Sequence, residues 1–397
     1  MTPASHPARS RQGRAARSRL GMALLVALLL IAAFSAVVSA RVWDVQFSES
    51  AGGRTMAWND DHSWIYVASP TSLLLTKRDG VTLTREAVLV HDLGDGLLGY
   101  GDGWLYYATL NGTLLAVKVE QAGNLETRGP VAVGDALGIG VRVQDVTVYQ
   151  DTLLIAGWLV EPVRMGAVVA LNVSSPGSID PDPSSLRVLY RLEFNSTVLD
   201  VLARDGFLYV AEGSGVLHVY DTTTMPPSRV TWHSVPRGFQ GMDIRGTLLA
   251  GVDGWTNRLL SYRIQPSQFE LLSEISLAGQ PIMVTLEEGL AYVSVHPDGN
   301  FLRGIAVFET TSTGITRLLT THDLGGFGGT HLSNRSEAYS LGSDDVAIIR
   351  QVERPILVTY PWFAGAILAS VITTAIVVIG GRARRKSRGQ GSIGRRV

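Results

Sequence analysis

A short β-type unit recurs along the middle of the chain, and this repeat restricts the possible folds more than any other feature. Each copy is a turn residue followed by an aromatic or aliphatic strand. The copies begin at residues 63, 103, 152, 206, 246 and 289, with a weaker copy at 336. The intervals average about 45 residues, the length of one four-stranded propeller blade. No convincing amphipathic helix lies between 41 and 358, so the pattern predicts an all-β propeller.

Each copy has similar neighbours: one strand before it, a second apolar strand after it, and then a more polar strand. The unit Gly206–Thr222, with Phe-Leu-Tyr-Val-Ala followed by Val-Leu-His-Val-Tyr, resembles repeats of the LVIVD and quinoprotein-like (PQQ-like) propeller families. Residues 103–117 are similar. The resemblance implies a propeller fold and no particular activity, because these repeats occur in proteins of unrelated function. The tryptophan-docking motif of quinone-binding enzymes and the Asp-boxes of sialidases are missing.

The ends of the repeat region suggest how the ring closes. Six units have four strands, but the last has three, ending at Asp345–Gln351. The segment Val42–Ser48 precedes the first complete unit and supplies a fourth strand. Pairing these two ends removes an exposed sheet edge. The prediction is a seven-bladed β-propeller closed by strand 42–48, with six or eight blades as alternatives.

The charges are divided between the tails and the middle. Residues 1–20 and 382–397 hold 12 of the 34 basic residues and no acidic ones, so 22 basic residues face 35 acidic ones elsewhere, a net charge of −13. Such an acidic middle argues against nucleic acid as a partner, because phosphates would be repelled. The chain contains no cysteine, which excludes disulfides, thiolate metal sites and cysteine-based catalysis.

Each basic tail adjoins an uncharged apolar run. Residues 361–381 are long enough to cross about 30 Å of hydrocarbon, and the run Gly21–Val38 is long enough to span or to serve as a signal peptide cleaved before Arg41. Retention of the cations in the cytoplasm orients both runs. The predicted organisation is a cytoplasmic tail (1–20), an anchor or signal peptide (21–40), an extracytoplasmic propeller (41–358), a transmembrane helix (359–381) and a second cytoplasmic tail (382–397). The implied location is the cell membrane.

The predicted topology places the loops after the second and fourth strands of each blade on the face directed away from the membrane. Binding residues usually lie on such loops, although the same residues are also common in ordinary solvated turns. The binding candidates on this face are Asp95, Trp158, Glu161, Arg164, Glu212, Asp253, Trp255, His296 and Asp298. Asn-x-Ser/Thr sequons provide glycosylation candidates on both faces, at Asn111, Asn172, Asn195 and Asn334.

Signatures of catalysis and metal binding are missing from the sequence. The eight histidines are scattered singly, and the densest polar cluster, Asp60-Asp61-His62, is typical of a tight turn. No nucleophile elbow or phosphate-binding glycine loop occurs. We therefore expect no cofactor, no metal and no catalytic residue.

Three functions fit these patterns. The favoured one is a membrane-tethered, non-catalytic binding or scaffold module for proteins, glycans or envelope components. The second is a propeller enzyme, such as a hydrolase, lactonase or cofactor-dependent oxidoreductase, with its site in the central channel. The third is a subunit of a membrane complex. Carboxylates and histidines converging on a channel pocket would favour the enzyme.

Overall fold

The computed structural model describes most of the chain between residues 39 and 355. The described residues are 39–49, 55–59, 61–79, 82–119, 125–160, 164–174, 179, 185–265, 268–296, 304–323, 331–334, 337–341 and 345–355, together with 369 and 373. The chain divides into two compact units. One is Val45–Arg350, and the other combines Met1–Asp44 with Gln351–Val397. The ring described below belongs to Val45–Arg350.

Six four-stranded antiparallel sheets are each built from four consecutive strands. Sheet 1 contains β2 (Thr55–Trp58), β3 (Trp64–Ala68), β4 (Ser72–Asp79) and β5 (Thr82–Val90); sheet 2 contains β6 (Gly96–Gly101), β7 (Trp104–Thr109), β8 (Thr113–Val119) and β9 (Leu125–Ala132). Sheet 3 contains β10 (Val141–Tyr149), β11 (Thr152–Leu159), β12 (Met165–Asn172) and β13 (Val188–Phe194); sheet 4 contains β14 (Val198–Arg204), β15 (Phe207–Glu212), β16 (Val216–Asp221) and β17 (Ser228–Ser234). Sheet 5 contains β18 (Gly241–Arg245), β19 (Leu248–Asp253), β20 (Arg258–Gln265) and β21 (Gln268–Ser276); sheet 6 contains β22 (Gln280–Glu287), β23 (Leu290–His296), β24 (Gly304–Thr311) and β25 (Gly314–Asp323). A short helix, α1 (Val133–Leu137), follows β9.

A composite sheet combines strands from both ends of the repeat region. Its members are β1 (Ser39–Glu49), β26 (His331–Asn334), β27 (Glu337–Leu341) and β28 (Asp345–Pro355), in the order β1-β28-β27-β26. The predicted pairing of segment 42–48 with the last strand is therefore confirmed. Both β1 and β28 continue past the boundary of the unit Val45–Arg350.

The fold-class prediction as a whole needs correction. The predicted count of seven blades is corrected to six, each built from four consecutive strands, and the composite sheet stands beside these six. The predicted flanking transmembrane helices are not found among the described residues, where no helix is sufficiently long and apolar to cross a membrane. The predicted segments 21–40 and 359–381 lie almost entirely outside the described residues.

The innermost strands of neighbouring sheets contact one another around a closed ring. The contacts run from β2 through β6, β10, β14, β18 and β22 to β26, and from β26 back to β2. Hydrophobic clusters fill the spaces between adjacent sheets. Because each sheet is covered on both faces by its neighbours, its second strand is almost wholly buried, as in β7, in which every residue is buried.

The outermost strands differ from the inner ones in the predicted way. In β17 and β21, every residue is exposed or half-buried, because one edge of each strand meets solvent. The hairpins joining first and second strands use residues that accept a positive φ, as in Asp102-Gly103, with φ values of 50° and 76°. Local turn chemistry and strand pattern thus agree along the repeats.

Candidate functional site

A central channel of about 520 Å³ lies inside the ring and is lined by six of its innermost strands. Its polar lining includes Gln144, Asp145, Asp200 and Gln240, and its apolar lining includes Met56, Leu98, Met242 and Met283. A channel with converging carboxylates is one place where a propeller enzyme would carry its chemistry. The hydrogen bonds of those carboxylates decide whether they are free to act.

Three aspartates on innermost strands accept hydrogen bonds from backbone N–H groups of the next sheet around the ring. Oδ2 of Asp145 accepts a hydrogen bond from the backbone N–H of Val201 at 3.0 Å. Oδ2 of Asp200 accepts one from Met242 N–H at 2.5 Å, and Oδ2 of Asp243 accepts one from Leu286 N–H at 2.6 Å. Each carboxylate therefore joins two adjacent innermost strands.

Burial shifts the acidity of two of these groups. Burial raises the pKa of Asp200 well above its usual range, and the neighbouring charge of Asp145, which shares a hydrogen bond with Asp200, raises it further. Burial also raises the pKa of Asp243 to about 6, although two backbone N–H groups oppose the shift. In this channel the aspartates satisfy buried backbone donors of the ring.

A second pocket, of about 470 Å³, lies between sheets 4 and 5 on the loop face, which we define as the side carrying the loops after second and fourth strands. Four such loops contribute Ser196, Thr197, Gly213, Ser214, Arg237 and Trp255 to its lining, and strand β14 contributes Leu199. These loops share one pocket, as the predicted topology requires. We refer to this site as the Trp255 pocket.

Trp255 lies on the turn between β19 and β20, and its side chain is 65% exposed. The fully buried Asp253 stabilises this turn through hydrogen bonds. Oδ1 of Asp253 accepts hydrogen bonds from the N–H groups of Trp255 (2.9 Å) and Thr256 (3.2 Å), and Oδ2 accepts one from the Thr256 hydroxyl (2.5 Å). An aspartate side chain that accepts hydrogen bonds from its own turn fixes the backbone of that turn. The Trp255 indole is therefore attached to a rigid backbone.

The opposite wall of the pocket is held by Glu212, which is also buried. Its Oε1 accepts a hydrogen bond from Ser196 N–H at 2.6 Å, and its Oε2 lies 3.0 Å from Nε2 of His218. The His218 ring packs beside Phe194, with centroids 5.1 Å apart. Glu212 therefore connects the loop before β14 to the hairpin of β15 and β16.

Arg237 lies between β17 and β18 and is exposed, with a positive φ of 45°. The next residue, Gly238, packs so closely against the backbone of Glu212 that an added Cβ would lie 2.4 Å from the Glu212 carbonyl oxygen. This close approach requires glycine. It sets the position at which Arg237 enters the pocket.

The predicted binding residues fall into several groups. Trp255 lies in the pocket, whereas Glu212 and Asp253 are buried and support its walls instead of facing solvent. Trp158 and Arg164 contact each other on sheet 3, with the guanidinium carbon 4.6 Å from the ring centroid. Asp95 and His296 are half-buried and belong to other sheets. Glu161 and Asp298 lie outside the described residues.

Sequence reasoning did not identify Arg237, Ser196, Thr197 or Ser214. A usable signal was present, because Arg237 lies in a loop after a fourth strand and therefore on the predicted outward face. Of the sequon asparagines, Asn111 and Asn195 are exposed and Asn172 is half-buried. The side chain of Asn334 lies outside the described part. No group of three or more His, Asp or Glu side chains capable of holding a metal ion occurs among the described residues.

Comparison with known proteins supports the fold. No family model matches the chain, and no curated protein matches it. Three similar solved structures are Saccharomyces cerevisiae Sqt1 (TM-score 0.53, 8% identity, 78% of this chain and 98% of that chain), the β-propeller domain of Myceliophteria thermophila Cps50 (Swd1) (0.55, 9%, 79% and 99%) and a chain of the mitotic checkpoint complex (0.56, 12%, 77% and 90%). These neighbours are WD40-like propellers. At such low identity the likeness shows the fold alone, and the resemblance to LVIVD and quinoprotein-like repeats stays a prediction.

Proposed function

We propose that this protein is a non-catalytic binding scaffold that engages a partner protein through the Trp255 pocket on its loop face. The observation that carries the proposal is Trp255, 65% exposed on a turn held by the buried carboxylate of Asp253, with an exposed arginine lining the same pocket. Trp and Arg contribute a disproportionate share of binding energy in protein interfaces. A rigid support also reduces the ordering cost of binding.

The similar solved structures support this proposal at the level of the fold. One of them is a chain of an assembly, the mitotic checkpoint complex. A propeller presents many loops on one face of a stable ring, and binding residues are disproportionately found on such loops. The fold therefore suits a scaffold for protein contacts.

The channel gives less support to an enzyme. Its carboxylates Asp145 and Asp200 each accept a hydrogen bond from the backbone of a neighbouring innermost strand. A general acid or base must reach a substrate atom, whereas these groups are committed to the ring. The propeller-enzyme alternative therefore has no specific observation in its favour.

The location of this face is part of the proposal and is supported by the sequence alone. Arginine-rich ends beside apolar runs are typical of chains whose middle is exported and held at the membrane. On this proposal the loop face is extracytoplasmic, and glycans or envelope components remain additional candidate partners. Protease added to intact cells is expected to cleave loops between 41 and 358, and complete protection until the cells are opened would contradict this location.

Crosslinking of the full chain in its native cells tests the proposed binding site. In Trp255→Ala, we expect recovery of the crosslinked partner to fall at least about tenfold, because an exposed aromatic anchor is lost. Trp232→Ala is the matched control, since Trp232 is 58% exposed but lies on the outermost strand β17. Unchanged recovery in Trp255→Ala, or equal loss in both variants, would exclude the Trp255 pocket as the interface.

A further inference from the structure

The polar groups of the Trp255 pocket define the chemistry of the partner. We propose, on the basis of the proposed function, that the pocket binds an acidic peptide segment. The carboxylate of an Asp or Glu side chain pairs with Arg237, and an adjacent apolar side chain packs on Trp255.

Arg237 differs from the many arginines of the ring whose charge is paired with a carboxylate. Eight described arginines pair with carboxylates, among them Arg78 with Glu337, Arg245 with Glu287 and Arg258 with Glu274. The Arg237 side chain forms no ion pair or hydrogen bond with any described residue. An exposed guanidinium with its donors available is suited to bidentate pairing with a carboxylate.

The acidic residues nearest the pocket cannot supply that partner. Oε1 of Glu212 accepts a hydrogen bond from the Ser196 N–H, and its second oxygen faces His218. The two oxygens of Asp253 accept three hydrogen bonds from its own turn. Because these carboxylates are buried and engaged, the pocket retains a cation without an internal counter-ion, even though the middle of the chain carries an excess of acidic residues.

The remaining polar lining is also compatible with an anion. Ser196, Thr197 and Ser214 bring hydroxyl groups to the pocket, and hydroxyls can donate hydrogen bonds to a carboxylate. Trp255 adds a broad apolar surface at the same site. A carboxylate next to an apolar side chain matches both features, and a peptide supplies the two on adjacent residues.

A displayed library of random twelve-residue peptides, selected on the full-length protein, tests this chemistry. We expect the enriched peptides to carry Asp or Glu beside an apolar residue. Binding of an enriched peptide is expected to weaken at least tenfold in Arg237→Gln and to stay within twofold in Arg229→Gln. Arg229 is the matched control because it is exposed on the outermost strand β17. Both variants should unfold at the wild-type temperature, which separates lost binding from lost folding.

Charge exchange adds a second readout. An enriched peptide with its acid changed to Lys should bind Arg237→Glu better than it binds the wild type. Enriched peptides without an acid that still require Trp255 would overturn the acidic-segment inference and leave the proposed function in place. Binding of polygalacturonate, an acidic polysaccharide, without binding of any peptide would overturn the inference and favour a glycan partner. If Trp255→Ala also leaves the cellular crosslink unchanged, both proposals fail.

Discussion

The Trp255 pocket and the central channel contain similar residue types but use them differently. In the channel, Asp145 and Asp200 accept backbone hydrogen bonds and hold adjacent innermost strands together. At the pocket, the buried Glu212 and Asp253 also accept backbone hydrogen bonds, whereas the exposed Arg237 and Trp255 can contact a partner. A cavity with polar lining becomes a candidate binding site only where some of that lining is left unused by the fold.

The largest expected effect on the channel side is in Asp200→Ala. This change leaves the Met242 N–H buried without its acceptor, so we expect the free energy of unfolding to fall by about 1–3 kcal/mol. Asp200→Asn should cost less than about 1 kcal/mol, because an amide keeps one acceptor and one donor. Chemical denaturation measures both values.

Partner recovery provides the other half of this comparison. Both Asp200 variants should retain the crosslinked partner that Trp255→Ala loses. A channel variant that folds normally but loses the partner would break the distinction between the two regions and move the binding site into the channel.

A smaller effect is expected from the pH dependence of Asp243. Its pKa is raised to about 6 in the folded protein from an ordinary value of 3.8, so its contribution to stability is complete below about pH 4 and is lost as the pH rises through 6. Relative to Asp243→Asn, the wild type should lose about 1–3 kcal/mol of unfolding free energy over this range. Denaturation at a series of pH values measures the difference.

Asp221, at the end of β16, serves as the control for that experiment. Hydrogen bonds from Thr223 lower the pKa of Asp221, so its contribution is present at higher pH and is lost as the pH falls. The comparison of wild type with Asp221→Asn should therefore slope in the opposite direction. Equal slopes for both variants would show that the burial of Asp243 has no titration effect.

The smallest expected effect belongs to the Trp158–Arg164 contact. Arg164→Ala removes an exposed cation–π interaction, worth about 0.5–1 kcal/mol. We expect a correspondingly small change in thermal stability and no change in partner recovery. A tenfold loss of partner in Arg164→Ala would extend the interface from the Trp255 pocket to sheet 3.

The repeat and its closing strand pair were predictable because they rest on local patterns. The second strands are mostly apolar, the outermost strands are more polar, and the segment before the first unit has a strand pattern of its own. The hydrogen bonds between the innermost aspartates and the neighbouring sheets were not predicted. A signal was present, because Leu-Asp-Val at 199–201 and Met-Asp-Ile at 242–244 are separated by one blade length. The partners of Asp200 and Asp243 are 42 and 43 residues away.

The candidate site was only partly predictable for a similar reason. Trp255 was placed on the correct group of loops by topology. The sequence could not show that Asp253 and Glu212 point inward, because a turn acid can equally face solvent. Arg237 carries no motif, and its importance arises only when four separate loops meet at one pocket.

The composite sheet has a consequence for the order in which the chain matures during synthesis. Strand β1 leaves the ribosome before every strand of sheets 1 to 6, but its neighbour β28 ends only at Pro355. Sheets 1 to 6 can each assemble from consecutive segments, whereas β1 must wait for about 300 further residues before it is covered. A chain that terminates before β28 would thus form six sheets while β1 has no neighbouring strand. Rapid proteolysis of β1 would identify this species.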